Sequence, residues 1–114
     1  MINVKRGDIV AIAIGGDYGK PRPALVIQSD KFDAIPSVTV LRMTSEVHEE
    51  EYLLRITVQP SVKNGLRLIS QICIDKAVTI PRNKIGKTIG TLETSILKKV
   101  DHSLAIFLEC GDTT

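Results

Sequence analysis

Arg22 stands between two prolines, and no other residue in the chain has its charge so firmly placed by its neighbours. Pro21 and Pro23 fix their own φ and push Lys20 and Arg22 toward extended backbone, so a permanently charged side chain is presented from a stiff segment. An apolar run from Ala24 to Ile27 follows, which puts the cation at the mouth of a buried strand. A guanidinium held this way suits an anion with paired oxygens, above all a phosphate. Other groupings suggest chemistry and fail on spacing. Gly15 to Lys20 is rich in glycine but one residue short of a phosphate-cradling P-loop, and Pro21 stands where Ser or Thr is required. His48 is followed by Glu49, Glu50 and Glu51 without the second histidine of a zinc-binding helix, and His102 is equally isolated. Cys73 and Cys110 lack CxxC spacing and read as free thiols. No cofactor and no metal is expected.

The elements that must hold Arg22 follow from the hydrophobic pattern. Asp8 to Ile14 is a β-branched run entered by a turn at Arg6 and Gly7, and reads as the first strand. Ala24 to Ile27 is the second. Ser37 to Thr44 is the third, with Val38, Val40, Arg42 and Thr44 on one side and Thr39, Leu41 and Met43 on the other; neither side is polar throughout, so it is central. Tyr52 to Val58 gives a fourth, ending before Pro60, and Ser61 to Gly65 a single helical turn. Leu66 to Ile80 is β-rich, as two short strands or one bent strand, and Pro81 to Gly90 is a basic loop leading to a short edge strand. From Leu92 to Leu108 the period becomes helical, through Leu92, Ile96, Val100 and Leu104, with Thr91 as N-cap and Gly111 just past the end. The fold class is therefore mainly β: a small, bent antiparallel sheet or barrel of five to seven strands with a C-terminal helix, in one domain over residues 1–114.

Bulk properties narrow the function classes. The 114 residues are 43% hydrophobic and 25% charged, which excludes collagenous, disordered and membrane compositions. A formal net charge of +2 permits a nucleic-acid partner without requiring one. The opening residues hold no apolar signal region, and no apolar run approaches the roughly 20 residues of a membrane helix, so a cytoplasmic protein with no membrane partner is expected. Aromatic residues make up 4% and tryptophan is absent, which leaves Tyr18, Phe32 and Tyr52 as the few groups on which bases could stack.

Three stretches together resemble one family. Lys5 to Val10, reading Lys-Arg-Gly-Asp-Ile-Val, is followed by Lys20 to Asp30 with Arg22, Pro23, Leu25 and Val26, then by a strand ending at Thr44 and by Asp75 to Ile80. Their order and spacing are similar to those of the MazF/PemK toxin endoribonucleases and cover almost the whole chain. The resemblance implies a small barrel like that of the gyrase toxin CcdB, usually a homodimer. It implies metal-independent cleavage of single-stranded RNA, and a cognate antitoxin whose disordered tail occupies the RNA groove.

Cleavage without a metal needs an acceptor for the 2′-OH proton, a donor for the leaving oxygen and positive charge on the phosphorane. The resemblance assigns the catalytic positions to Arg22, Thr44 and Asp75: Arg22 for charge on the phosphate, Thr44 for a hydrogen bond that orients it, Asp75 as acid or base. Cys73 departs from the pattern, because PemK-like members with that aspartate carry an arginine two residues before it; Arg22 is then the substitute for the missing donor. Lys20, Gln28, Arg82, Lys84 and Lys87 are the candidates for RNA contacts, and Gly15 to Gly19 for a short flap over the groove. Two further readings stand beside this one. A non-catalytic barrel toxin could bind a protein such as gyrase, although gyrase-poisoning relatives end in a tryptophan-containing tail that this chain lacks. An inactive relative could bind RNA without cutting it.

Overall fold

The computed structural model describes residues 3–13, 20–50 and 53–111. The Gly15 to Gly19 flap, Tyr18 and Tyr52 lie outside the described residues. The described residues form six strands and one helix: β1 (Asp8–Ile12), β2 (Arg22–Val26), β3 (Ser37–Thr44), β4 (Arg55–Val58), β5 (Ser70–Pro81), β6 (Ile85–Thr91) and α1 (Thr94–Leu108). Short 3₁₀ turns occupy Asp30–Phe32 and Arg82–Lys84. No helix among the described residues is long and apolar enough to cross a membrane.

All six strands form one antiparallel sheet in the order β4-β5-β3-β2-β1-β6. This order forces curvature. β5 and β6 are four strand positions apart, about 19 Å across a flat sheet. The Arg82–Lys84 turn that joins Pro81 to Ile85 can span at most about 14 Å. The sheet therefore has to curl toward a barrel, bringing the end of β5 to the start of β6. Val78 and Ile80 of β5 accordingly pack in the same cluster as Ile12 of β1 and Ile85 of β6.

Both faces of the central strands are buried, as the mixed pattern of β3 predicts. Val38 and Val40 of β3 join Val10, Ala24 and Val26 in one cluster, while Leu41 and Met43 join Ile9, Leu25, Ile72 and Ile74 in the other. α1 covers the second cluster with Val100, flanked by Ile96, Leu97 and Leu104. Leu92 is buried there too, but it precedes the helix instead of lying in its first turn.

Several boundaries differ from the sequence expectation, each for a local reason. β2 begins at Arg22, because Pro23 pairs with Ala11 of β1 while pairing with β3 starts only at Ala24; the proline thus lies where its missing N–H costs no bond to β3. β4 is shorter than Tyr52 to Val58, since residues 53 and 54 form a turn. Leu66 to Ile69 stay out of β5, which is a single long strand. The N-cap of α1 is Glu93, not Thr91, whose own N–H donates to the Lys63 carbonyl at the end of β6. The Glu93 carboxylate instead accepts hydrogen bonds from Ser61 Oγ at 2.6 Å and Asn64 Nδ2 at 3.1 Å, and the Ser61 bond, ahead of other influences, holds its pKa below the usual value. It thereby staples the Ser61 to Gly65 turn to the helix start. Gly90 permits that approach: a Cβ there would lie 2.4 Å from the Asn64 carbonyl carbon.

The turn before β1 is also tied to the helix. Arg6 donates from Nε to the Ile27 carbonyl and pairs with Asp101 of α1 at 2.5 Å, and Gly7 adopts a φ of 95° that other residues rarely reach. The Lys5 to Asp8 motif is therefore scaffold: it anchors β1, and so the strand beside Arg22.

Candidate active site

β2 and β3 bring two of the sequence candidates to one place. Ala24 pairs with Arg42, Leu25 with Leu41 and Val26 with Val40. Continued by two residues on each strand, that register sets Arg22 level with Thr44. Arg22 is exposed, and no carboxylate pairs with it among the described residues. Thr44 Oγ1 accepts the Glu46 N–H at 3.0 Å, a tight turn that fixes the oxygen while leaving the hydroxyl proton to donate. A fixed donor beside an exposed guanidinium is an arrangement for holding an oxyanion.

The third candidate comes from a distortion in β5. Leu41 pairs with Ala77 and Met43 with Ile72, so the single residue Arg42 faces four on β5, Cys73 to Lys76. Such a bulge bends the strand and re-aims its side chains. Asp75, with 28% of its side chain exposed, accepts a hydrogen bond from Arg55 Nη1 at 2.5 Å. Partial burial works against its ionisation, but the Arg55 hydrogen bond and charge outweigh it and hold the carboxyl below the usual range. Cys73 is buried, and burial pushes its thiol up despite the cations around it. It stays protonated at neutral pH and offers no thiolate nucleophile.

Around these groups runs a cleft of about 780 Å³, bounded by the start of β2, the end of β3, the β5 bulge, residues 65–68 and β6. Among the described residues, Arg22, Arg42, Arg55, Arg67, Lys76 and Lys87 line it against a single acidic residue, Glu46. Its floor and walls include Thr44, Ser70, Cys73, Leu66 and Ile89. An open, strongly cationic channel with apolar surface between the charges fits a polyanion bearing flat apolar groups, the chemistry of a single nucleic-acid strand.

Of the residues picked from sequence, Arg22, Thr44 and Lys87 line this cleft, and Asp75 joins it through Arg55. Lys20 is exposed beside the lining residue Pro21. Gln28 is engaged elsewhere: its amide accepts from the Thr39 N–H and donates to the Phe32 and Ser37 carbonyls, closing the loop between β2 and β3. Arg82 is 8% exposed and gives its guanidinium to the Ile35 and Phe32 carbonyls. Lys84 follows it in the same 3₁₀ turn, outside the cleft lining. Arg42, Arg55, Arg67 and Lys76 were not singled out from sequence. The signal for Arg42 was present, since it is the charged residue on the face of β3 that it shares with Val38, Val40 and Thr44, whereas Arg55 becomes visible only through its pairing with β5.

A model of the PemK-like, MazF-like toxins of type II toxin–antitoxin systems matches residues 5–108. The chain belongs to this toxin family. A probable endoribonuclease MazF of Mycolicibacterium smegmatis is 42% identical over 106 residues, covering 92% of this chain and 96% of the relative. Endoribonuclease EndoA of Bacillus subtilis is 27% identical over 114 residues, covering 96% and 97%. A solved mycobacterial endoribonuclease in complex with its cognate antitoxin shares the fold, with a TM-score of 0.78 at 18% identity over 98% of this chain and 99% of that one. In this MazF-like toxin the cationic cleft thus sits on the fold that carries endoribonucleases in its relatives.

Proposed function

We propose that this MazF-like toxin cuts single-stranded RNA in the cleft between β2, β3, β5 and β6, by attack of a ribose 2′-oxygen on the adjacent phosphate and without a metal ion. The endoribonuclease class comes with the family and with a relative 42% identical over nearly the whole chain. The observation that carries the site assignment is that Arg22, at the start of β2, and Thr44, at the end of β3, line one channel with six cations among the described residues. In the reaction the 2′-oxygen forms a bond to phosphorus, the bond from phosphorus to the 5′-oxygen breaks, and the products are a 2′,3′-cyclic phosphate and a 5′-hydroxyl. Asp75, kept ionised, takes the 2′-OH proton. Arg22 spans the non-bridging oxygens as charge grows on them and hydrogen-bonds the leaving oxygen, which solvent protonates. Thr44 donates to a phosphate oxygen and fixes its orientation. Lys87 and Lys20 contact the RNA backbone on either side.

The same cleft is where a cognate antitoxin would act, since an acidic extended segment would meet the charges that hold RNA. A homodimer completes this reading, with two copies of the chain framing the groove.

The test is Arg22→Ala. The side chain is exposed and makes no structural bond among the described residues, so the variant should keep its melting temperature. RNA cleavage should fall by about two orders of magnitude or more, as removal of a preorganised transition-state donor does. A folded variant that cuts a single-stranded RNA as fast as the parent would remove Arg22 from the site.

A further inference from the structure

The β4–β5 register sets Arg55 directly opposite Cys73. Cross-strand partners share a face of the sheet, and so do residues two apart on one strand, so Arg55, Cys73 and Asp75 lie on a common face. From Arg55, Asp75 is then the diagonal neighbour, within reach of a long side chain. Arg55 makes that contact at 2.5 Å, and a second bond from Nη1 to the Leu54 carbonyl at 3.0 Å anchors the guanidinium. With 11% of its side chain exposed, Arg55 is held in place yet still lines the cleft.

We propose that Arg55 is the positioning residue of Asp75, holding its carboxylate from the neighbouring strand β4. The inference rests on the reading of Asp75 as the proton acceptor. Its geometry is independent of RNA: a charged fork fixed on one strand aims a carboxylate that the bulge has lifted from the next. The other groups of this region come from three strands. Cys73 lies two residues before Asp75 and Lys76 directly after it on β5, Arg42 faces the bulge from β3, and Arg55 closes the β4 side. On the far side of Arg55 lie Lys98, Lys99 and His102 of α1, which border a second hollow with it. Only Arg55 gives Asp75 a side-chain hydrogen bond among the causes of its lowered pKa, so the sign is fixed. Without the guanidinium, its hydrogen bond and its charge are both lost while the burial stays, so the carboxyl titrates at higher pH than in the parent.

Two measurements on Arg55→Met and Arg55→Lys test this. The first is the titration of the Asp75 side-chain carboxyl by carbon NMR on the full chain without RNA, where the midpoint should rise in Arg55→Met and return most of the way in Arg55→Lys. The second is cleavage as a function of pH. Arg55→Met should lose about tenfold or more in kcat near neutral pH, with its acid limb moved to higher pH and KM changed less than kcat. An Asp75 midpoint unchanged by Arg55→Met would overturn the proposal, as would a loss of equal size at every pH. If Arg55→Met behaves as the parent while Arg22→Ala is inactive, the positioning role fails and the site reading stands; if both cleave as the parent, the site reading itself has failed.

Discussion

In the proposed site Thr44 and Arg22 divide one task between a neutral donor and a charge, and the difference between them is measurable. Because Thr44 Oγ1 accepts the Glu46 N–H, the turn holds the oxygen in place and leaves its proton available to donate. Thr44→Val should therefore lose about a hundredfold in kcat, while Thr44→Ser, which keeps the hydroxyl, should stay within about tenfold of the parent; equal rates for Val and Ser in a single-turnover assay would contradict this use of the hydroxyl. Arg22 was legible in the sequence because the prolines that constrain it are its neighbours. Thr44 carried no such local mark and rested on family resemblance; in the structure it lines the same cleft as Arg22. Arg55 was invisible for a physical reason: its partner lies 20 residues away on another strand, and nothing near it in sequence distinguishes it from a surface arginine. Gln28 and Arg82 show the converse. Their types suit RNA contacts, but their polar atoms are committed to backbone groups of their own fold.

At the scale of elements, the β5 bulge and the packing of β6 against the Ser61 to Gly65 turn set the shape of the cleft. Gly90 lies where backbone meets backbone, 2.6 Å from the Lys63 carbonyl oxygen for any Cβ built there. Gly90→Ala should cost about 1 to 3 kcal/mol of stability through overpacking, seen as a lower midpoint in denaturant with an unchanged slope; an unaltered midpoint would mean that the turn yields freely. The alternation of β3 and the helical period of α1 were readable because each follows from a repeating pattern of burial. The length of β5 and its bulge were not. A bulge leaves only a brief break in alternation, and Asp75 and Lys76 read equally well as a turn between two strands. The N-cap was misplaced for a similar reason: Glu93 caps by its backbone conformation, while its carboxylate is engaged with Ser61 and Asn64 from a distant turn.

For the molecule as a whole, a modest net charge conceals a concentrated field. The formal excess is only +2, yet six cations and one glutamate share a single cleft, so attraction for a polyanion is local and does not depend on total charge. Binding of a 2′-O-methyl RNA, which lacks the attacking hydroxyl, should weaken with salt. Lys87→Ala should reduce the slope of log affinity against log salt by about 0.7, one backbone contact. Arg82→Met should leave that slope unchanged while lowering the melting temperature, because its guanidinium holds the Ile35 and Phe32 carbonyls. Anisotropy titrations at several salt concentrations distinguish the two; a slope changed by Arg82→Met and not by Lys87→Ala would place the RNA path elsewhere.

The central claim, that Arg22 and its cleft cut RNA by internal attack, is tested most directly by one comparison. The parent protein and folded Arg22→Ala are incubated with a long single-stranded RNA in excess EDTA, and the fragment ends are mapped and their chemistry determined. The account predicts discrete cuts by the parent, with a 2′,3′-cyclic phosphate upstream and a 5′-hydroxyl downstream, and about a hundredfold fewer from Arg22→Ala. RNA left intact by the parent until magnesium is added, 5′-phosphate ends, or equal cutting by the variant would contradict it.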